Sequence, residues 1–121
     1  MPDAKSLRFA VLHHVGVGEP HYDLLIEISP DAPLLAWRCA TWPLAHGAPV
    51  TAIPSHRRVY LEYEGAISGG RGEVARVDEG SCSIELDASG EFRAWLTGRF
   101  SSLRLHLTLL SDNRWAAAVG T

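Results

Sequence analysis

The sequence predicts an all-β fold: a compact barrel of about eight or nine short, mostly antiparallel strands with loops and little helix. Three observations predict it. Apolar and polar residues alternate in several runs, most cleanly where Leu103, Leu105, Leu107 and Leu109 interleave with Arg104, His106 and Thr108. Turn-forming clusters such as Ser29-Pro30-Asp31-Ala32-Pro33 and Asp87-Ala88-Ser89-Gly90 punctuate these runs at short intervals. No long segment carries the 3.6-residue apolar period of an amphipathic helix. Strands this numerous require closure or cover, because open sheet edges pair with other chains.

Taken in order, Arg8 to His14 is the first strand, with Phe9, Val11 and His13 on one face and Arg8, Ala10, Leu12 and His14 on the other. His21 to Ile28 is the second and Leu34 to Ala40 the third. Thr41 to Ser55, rich in Pro and Ala, is expected to be an irregular loop near the site. Arg58 to Glu64 alternates and is expected to be a strand that presents Val59, Leu61 and Tyr63 to one side. Gly65 to Gly72 is a glycine-rich turn. Glu73 to Val77 and Ser81 to Leu86 are expected to form a hairpin across Asp78-Glu79-Gly80. Phe92 to Leu96, Leu103 to Leu109 and Arg114 to Val119 complete the set.

The totals narrow the function classes. At 121 residues the chain fits one domain spanning 1–121, long enough to stand without a disulfide or structural metal. Its net charge of −3 disfavours a long non-specific grip on nucleic acid but allows recognition of one phosphate or one strand end. Its two cysteines, Cys39 and Cys82, lie in apolar runs without metal-ligand spacing, and are expected to be buried thiols. No run approaches a membrane span, and the first residues lack the apolar core of a signal peptide, so a cytoplasmic protein without membrane partners is expected.

The chemistry concentrates around His14 and His21-Tyr22-Asp23, which flank the turn Gly16-Val17-Gly18-Glu19-Pro20. In an extended strand His21 and Asp23 project to one face, and a hairpin brings His14 beside them. Two imidazoles and a carboxylate form a donor set for a divalent transition metal. If the strand 58–64 begins at His56, this histidine joins Tyr60 on its polar face. Single histidines on strands are usually structural, and His13, His46 and His106 are expected to be so. Trp37, Trp95 and Trp115 are expected in or against the core rather than as base-stacking platforms, with Trp42, in the irregular loop, the exception that stays open. Glu62 and Glu64 have no sugar-binding context, which sets aside a glycosidase.

These segments resemble the 3′-phosphoesterase domain of bacterial DNA ligase D and its small stand-alone relatives. The resemblance rests on His14, His21-Tyr22-Asp23, Leu35-Ala36-Trp37, His56 four residues before Tyr60, Tyr63-Glu64-Gly65, and the turn Ile67-Ser68-Gly69-Gly70-Arg71-Gly72. It runs from about Arg8 to Gly120, the span over which the order of these segments holds. It implies a β-barrel hydrolase of DNA repair that removes a 3′-phosphate or a 3′-terminal ribonucleotide from DNA or RNA ends. It further implies that His14, His21 and Asp23 hold a metal, Mn²⁺ before other transition metals, and that His56 and Tyr60 act on the phosphate. A separate ligase or polymerase is the implied partner. The sequence departs from the family at Leu25, where an arginine contacts the phosphate, at Thr41, where a lysine stands, and in a turn one residue longer between His14 and His21. Arg8, Arg57, Arg58 and Arg71 are the candidate replacements, Arg71 foremost. Two other readings stay open: a non-haem Fe(II) oxygenase-like barrel, using His21 and Asp23 with His56 or His106, and a catalytically degenerate module that binds a nucleic-acid end or a protein.

Overall fold

A computed structural model describes residues 7–120. Nine strands form one antiparallel sheet: β1 (Leu7–Val15), β2 (His21–Ile26), β3 (Leu34–Cys39), β4 (Pro49–His56), β5 (Gly65–Ala66), β6 (Glu73–Ala88), β7 (Glu91–Gly98), β8 (Ser102–Ser111) and β9 (Arg114–Gly120). Their order is β1-β2-β3-β4-β9-β8-β7-β6-β5, and an added β1–β6 pairing closes eight of them into a ring. The expected all-β class and strand number hold. Among the described residues no helix is long and apolar enough to cross a membrane.

The long β6 makes closure possible. Its first half pairs with β1 from Val15↔Glu73 to Leu7↔Cys82, and its second half pairs with β7 from Gly80↔Gly98 to Ala88↔Glu91. The expected hairpin at Asp78-Glu79-Gly80 is therefore corrected to one continuous strand. Asp78 is buried and its carboxylate accepts from the backbone N–H of Glu79 (2.9 Å) and Phe100 (3.1 Å), which ties a bulge instead of a reversal. A Cβ on Gly80 would lie 2.0 Å from the Thr97 carbonyl oxygen, so this glycine marks the close approach of β7 rather than a turn.

Two further expectations are corrected. Thr41 to Ser55 is not all loop: Pro49–His56 is β4, paired along β3 but with β9 only over Pro49, Val50 and Thr51. Pro49 opens the strand and Pro54 lies beyond the β9 pairing, two places where a missing N–H is tolerated. Arg58 to Glu64 is not a strand: Arg58–Leu61 is a short 3-10 helix, closed by Tyr60 N–H to Arg57 O (3.1 Å) and Glu62 N–H to Val59 O (3.1 Å). Its alternation is deceptive, because Leu61 is buried while Val59 is 52% exposed.

Two apolar clusters divide the sheet faces. Inside the ring lie Phe9, Val11, Leu24, Ile26, Trp37, Phe92, Leu105 and Leu107, with Trp42 and Trp115 packed against them. Trp95 instead is partly exposed beneath the Arg104 guanidinium. Cys39 and Cys82 are free, buried thiols, and burial pushes both pKa values up to about 12, with the charges of Asp23 and Glu27 adding to the rise. The second cluster lies on the outer face: Ala10, Leu12, Leu25, Leu34, Ala36 and Val74 covered by Leu61 and flanked by Tyr60, Tyr63 and Ile67. The segment from Arg57 to Ile67 is thus a flap over the outer face of β1 to β3. It is held by Arg58, which pairs with buried Glu27 and donates to the carbonyls of Ser29 (2.9 Å) and Ala32 (3.0 Å), and by Arg76, which donates to the Leu61 carbonyl (3.0 Å).

Candidate metal centre and its cleft

The site grows from the β1–β2 hairpin. Its register places His14 opposite His21 and Leu12 opposite Asp23. Gly16 (φ 90°) and Gly18 (φ 64°) supply the left-handed backbone that the turn requires. Outer-face parity then sends His14, His21 and Asp23 to one side, at the end of the second cluster. His13 points the other way and stacks on Tyr22, with centroids 4.7 Å apart and planes at 21°. Its expected structural role fits this position.

The three polar groups meet at close range. His14 Nδ1 is 3.4 Å from Asp23 Oδ2, His21 Nε2 is 3.3 Å from Asp23 Oδ1, and one candidate ligand atom from each lies within 4.8 Å of the others. Asp23 is 3% and His21 6% exposed. The outer ring nitrogens are already engaged: His14 Nε2 donates to the Arg71 carbonyl (2.8 Å) and His21 Nδ1 to the Glu19 carbonyl (2.9 Å). A carbonyl only accepts, so each neutral ring carries its proton there and turns a lone pair toward Asp23. Three acceptors therefore converge without a donor between them. His21 Nε2 and Asp23 Oδ1 are accordingly buried with no hydrogen-bond partner. Such a group of acceptors is costly unless a cation sits among them. The carbonyl-oriented imidazoles are also the usual way a protein fixes histidine ligands. These residues fit a divalent transition metal.

The cluster opens on a cleft of about 500 Å³ between the sheet and the flap, lined by His14, Asp23, His56, Arg57, Tyr60 and Arg71 among others. His56 donates Nδ1–H to the Pro54 carbonyl (3.1 Å), which leaves Nε2 uncommitted. Its ring meets Tyr60 edge-on at 5.8 Å, and Tyr60 meets Tyr63 in the same way. His56 and Tyr60 thus come together as expected, but through a strand end and a 3-10 turn rather than one polar strand face. Arg71 is held by Ser68, whose carbonyl accepts from Nε (2.8 Å). The structure brings all six sequence-predicted site residues, His14, His21, Asp23, His56, Tyr60 and Arg71, to this region; His21 also lines a groove on the far side of the cluster.

Other candidates fall away. Neither Arg8 nor Arg58 lines the cleft: Arg8 pairs with Glu62 at 3.2 Å and Arg58 with Glu27. His106 lies on β8 against Glu91 (2.7 Å), whose carboxyl is held below its ordinary range first by the Arg93 hydrogen bond and then by His106. Neither His56 nor His106 joins the group formed by His14, His21 and Asp23, so the two histidines expected as the third ligand of the oxygenase reading do not stand beside His21 and Asp23. Leu25 is fully buried in the outer cluster, directly beneath the flap. Arg57 is the residue that strand alternation undervalued. As a strand residue it would oppose His56; as the residue entering the 3-10 turn it lines the same cleft, with its guanidinium 5.8 Å from the centre of the Tyr60 ring.

Backbone contact locks the Arg71 loop to the cluster. A Cβ on Gly72 (φ 80°) would lie 2.1 Å from the Val15 carbonyl oxygen. Gly72→Ala is expected to push the loop off β1, break the His14–Arg71 hydrogen bond and cost about 2 kcal/mol or more. The urea midpoint checks this, and an unchanged midpoint would show that the loop relaxes freely.

The chain matches no protein-family model, and no curated protein is similar to it.

Proposed function

We propose that this chain is a metal-dependent phosphoesterase that heals 3′ ends of DNA or RNA by removing a 3′-phosphate or a 3′-terminal ribonucleotide. One observation carries the reading: a buried cluster of three acceptors faces a cleft whose wall holds two arginines, a histidine and a tyrosine. Acceptors on one side would hold a divalent cation and cationic donors on the other would hold an anion, a combination that suits a phosphate. The likeness of these segments to the ligase D phosphoesterase domain adds the substrate class.

In this reading His14, His21 and Asp23 hold the divalent ion, Mn²⁺ by resemblance, and their N/O donor set suits it. The ion supplies neutralisation of charge on a phosphoryl oxygen. Arg57 and Arg71 bind the remaining anionic oxygens, a task that Leu25 cannot perform from inside an apolar cluster. Tyr60 orients the phosphate through its hydroxyl. His56 is kept in one ring orientation by its Nδ1–H bond to the Pro54 carbonyl, which leaves Nε2 free; as the imidazolium it would give the Nε2 proton to the oxygen that departs while a water oxygen bonds to phosphorus.

The test is turnover of a labelled primer–template ending in a 3′-phosphate or a 3′-ribonucleotide, with Mn²⁺ and with other divalent ions. Wild type is expected to turn over, and His56→Ala to lose about 100-fold or more in rate. A folded, metal-loaded protein that releases nothing from either end would overturn the reading in favour of an end-binding module. The same donor set is the two-histidine, one-carboxylate triad of Fe(II) oxygenases, so oxygen uptake with Fe²⁺ is measured alongside; uptake without phosphate release would favour that class.

A further inference from the structure

Across the sheet from the metal cluster, register lines up a second set of side chains. Leu12 is opposite Asp23, Asp23 opposite Arg38, Arg38 opposite Thr51, and Thr51 opposite Arg114. The inner-face row beside it is Tyr22, Cys39, Val50 and Trp115, all in or against the core, so the Asp23 row faces outward. Antiparallel neighbours lie about 4.8 Å apart, which spreads Asp23 to Arg114 over roughly 14 Å. Arg38 and Arg114 are exposed, and among the described residues neither has a salt bridge or side-chain hydrogen bond. By contrast Arg8, Arg58, Arg76, Arg93, Arg99 and Arg104 all pair with carboxylates.

A groove of about 700 Å³ opens on this face, lined by His21, Arg38, Thr51 and Pro49, and Arg114 stands one strand beyond it, opposite Thr51. Val17 and Pro20 form an apolar lip on the turn side, and Glu19 is the one carboxylate that lines it. This groove and the flap cleft meet the cluster from opposite sides, the first at His21 and the second at His14 and Asp23. A polymer whose end lies in the flap cleft can continue from the cluster across the sheet along this groove.

We infer that the outer face of β2, β3, β4 and β9 is the track for the nucleic-acid strand leading to the 3′ end, with Arg38 and Arg114 on successive phosphates and Thr51 between them. The inference rests on the phosphoesterase reading and adds the path of the substrate. Its occupant is a single strand rather than a free phosphate, because two guanidiniums two strands apart match a chain of charges and not one anion. Charge complementarity is local: although the net charge is −3, Arg38 and Arg114 stand on the outward row that starts at Asp23, without carboxylate partners among the described residues.

The test uses fluorescence anisotropy of a 5′-labelled single-stranded oligonucleotide of about 12 nucleotides ending in a 3′-hydroxyl, a product that does not turn over, titrated at several salt concentrations. R38Q/R114Q is compared with wild type and with R93Q/R104Q, which removes the same charge from the β7–β8 face. The track variant is expected to bind at least about tenfold more weakly at low salt, with a salt slope shallower by about 1.4, since each phosphate contact on a single strand contributes about 0.7. R93Q/R104Q is expected to bind as wild type does. Equal loss in both variants, or no loss in R38Q/R114Q, overturns the track while wild-type binding and turnover leave the phosphoesterase reading standing. Wild type that neither binds the strand nor processes 3′ ends overturns both. Circular dichroism confirms that each variant is folded.

Discussion

Asp23→Asn is expected to abolish metal binding without harming the fold. The carboxylate is the only anion of the cluster, and its two oxygens face the two imidazole lone pairs at 3.3 and 3.4 Å. Losing its charge is expected to weaken Mn²⁺ binding by at least ~100-fold, and turnover by ~1,000-fold or more. The amide, however, brings an N–H to a place where the wild type has only acceptors. It can donate to a ring nitrogen that is otherwise unpartnered, so the metal-free variant is expected to melt at or above the wild-type temperature. Thermal denaturation with Mn²⁺ and with chelator separates the cases. Mn²⁺ at 100 times its dissociation constant stabilises a binding protein by about 2.7 kcal/mol. That rise is expected for wild type and not for Asp23→Asn. A variant that keeps the rise would mean that the ion binds elsewhere. A variant that melts lower in chelator would mean that the cluster is a structural hydrogen-bonded unit and not an acceptor set awaiting a cation.

Much of this cluster was readable from the chain because it depends on local rules. Strand parity alone puts His21 and Asp23 on one face, and a glycine turn brings His14 across. Parity groups His13 with Phe9 and Val11, but the choice of His14 over His13 needs the β1–β2 register, which sets His14 opposite His21. Long-range placement was not readable in the same way. Alternation in Arg58 to Glu64 imitates a strand, yet the segment turns because Arg58 reaches back to Glu27, Ser29 and Ala32, contacts spanning 26 to 31 residues. The prolines in Thr41 to Ser55 disguised β4, since only pairing shows that Pro54 sits where no donor is needed. Gly80 looked like a turn residue because close strand approach and chain reversal both require a missing side chain. Arg57 was undervalued for the same reason as the flap: its side depends on a helical turn and not on alternation.

Arg58→Met is expected to have the largest effect on stability and to show whether the flap matters to the site. Glu27 is only 7% exposed, and besides the guanidinium its carboxylate has the Arg8 backbone N–H at 3.0 Å. Removing Arg58 leaves that charge buried and strips two carbonyls of their donor. The cost is expected to be about 3 kcal/mol, at the lower end for a broken buried pair because the Arg58 side chain is one-third exposed (34%). For a chain of this length that lowers the melting temperature by roughly 10 °C. Adding Glu27→Gln is expected to restore part of the loss, as a double-mutant cycle requires of coupled partners. The consequences for the site are separable. His14, His21 and Asp23 stand on β1 and β2, so Mn²⁺ affinity is expected to hold. His56, Arg57 and Tyr60 stand at the entry to the flap, so KM for the 3′ end is expected to rise. If Mn²⁺ affinity falls together with KM, the cluster depends on the flap and the two halves of the cleft form one unit. If KM does not move, Leu61 and the Arg76 hydrogen bond to its carbonyl suffice to hold the flap, and the Arg58–Glu27 pair serves stability alone.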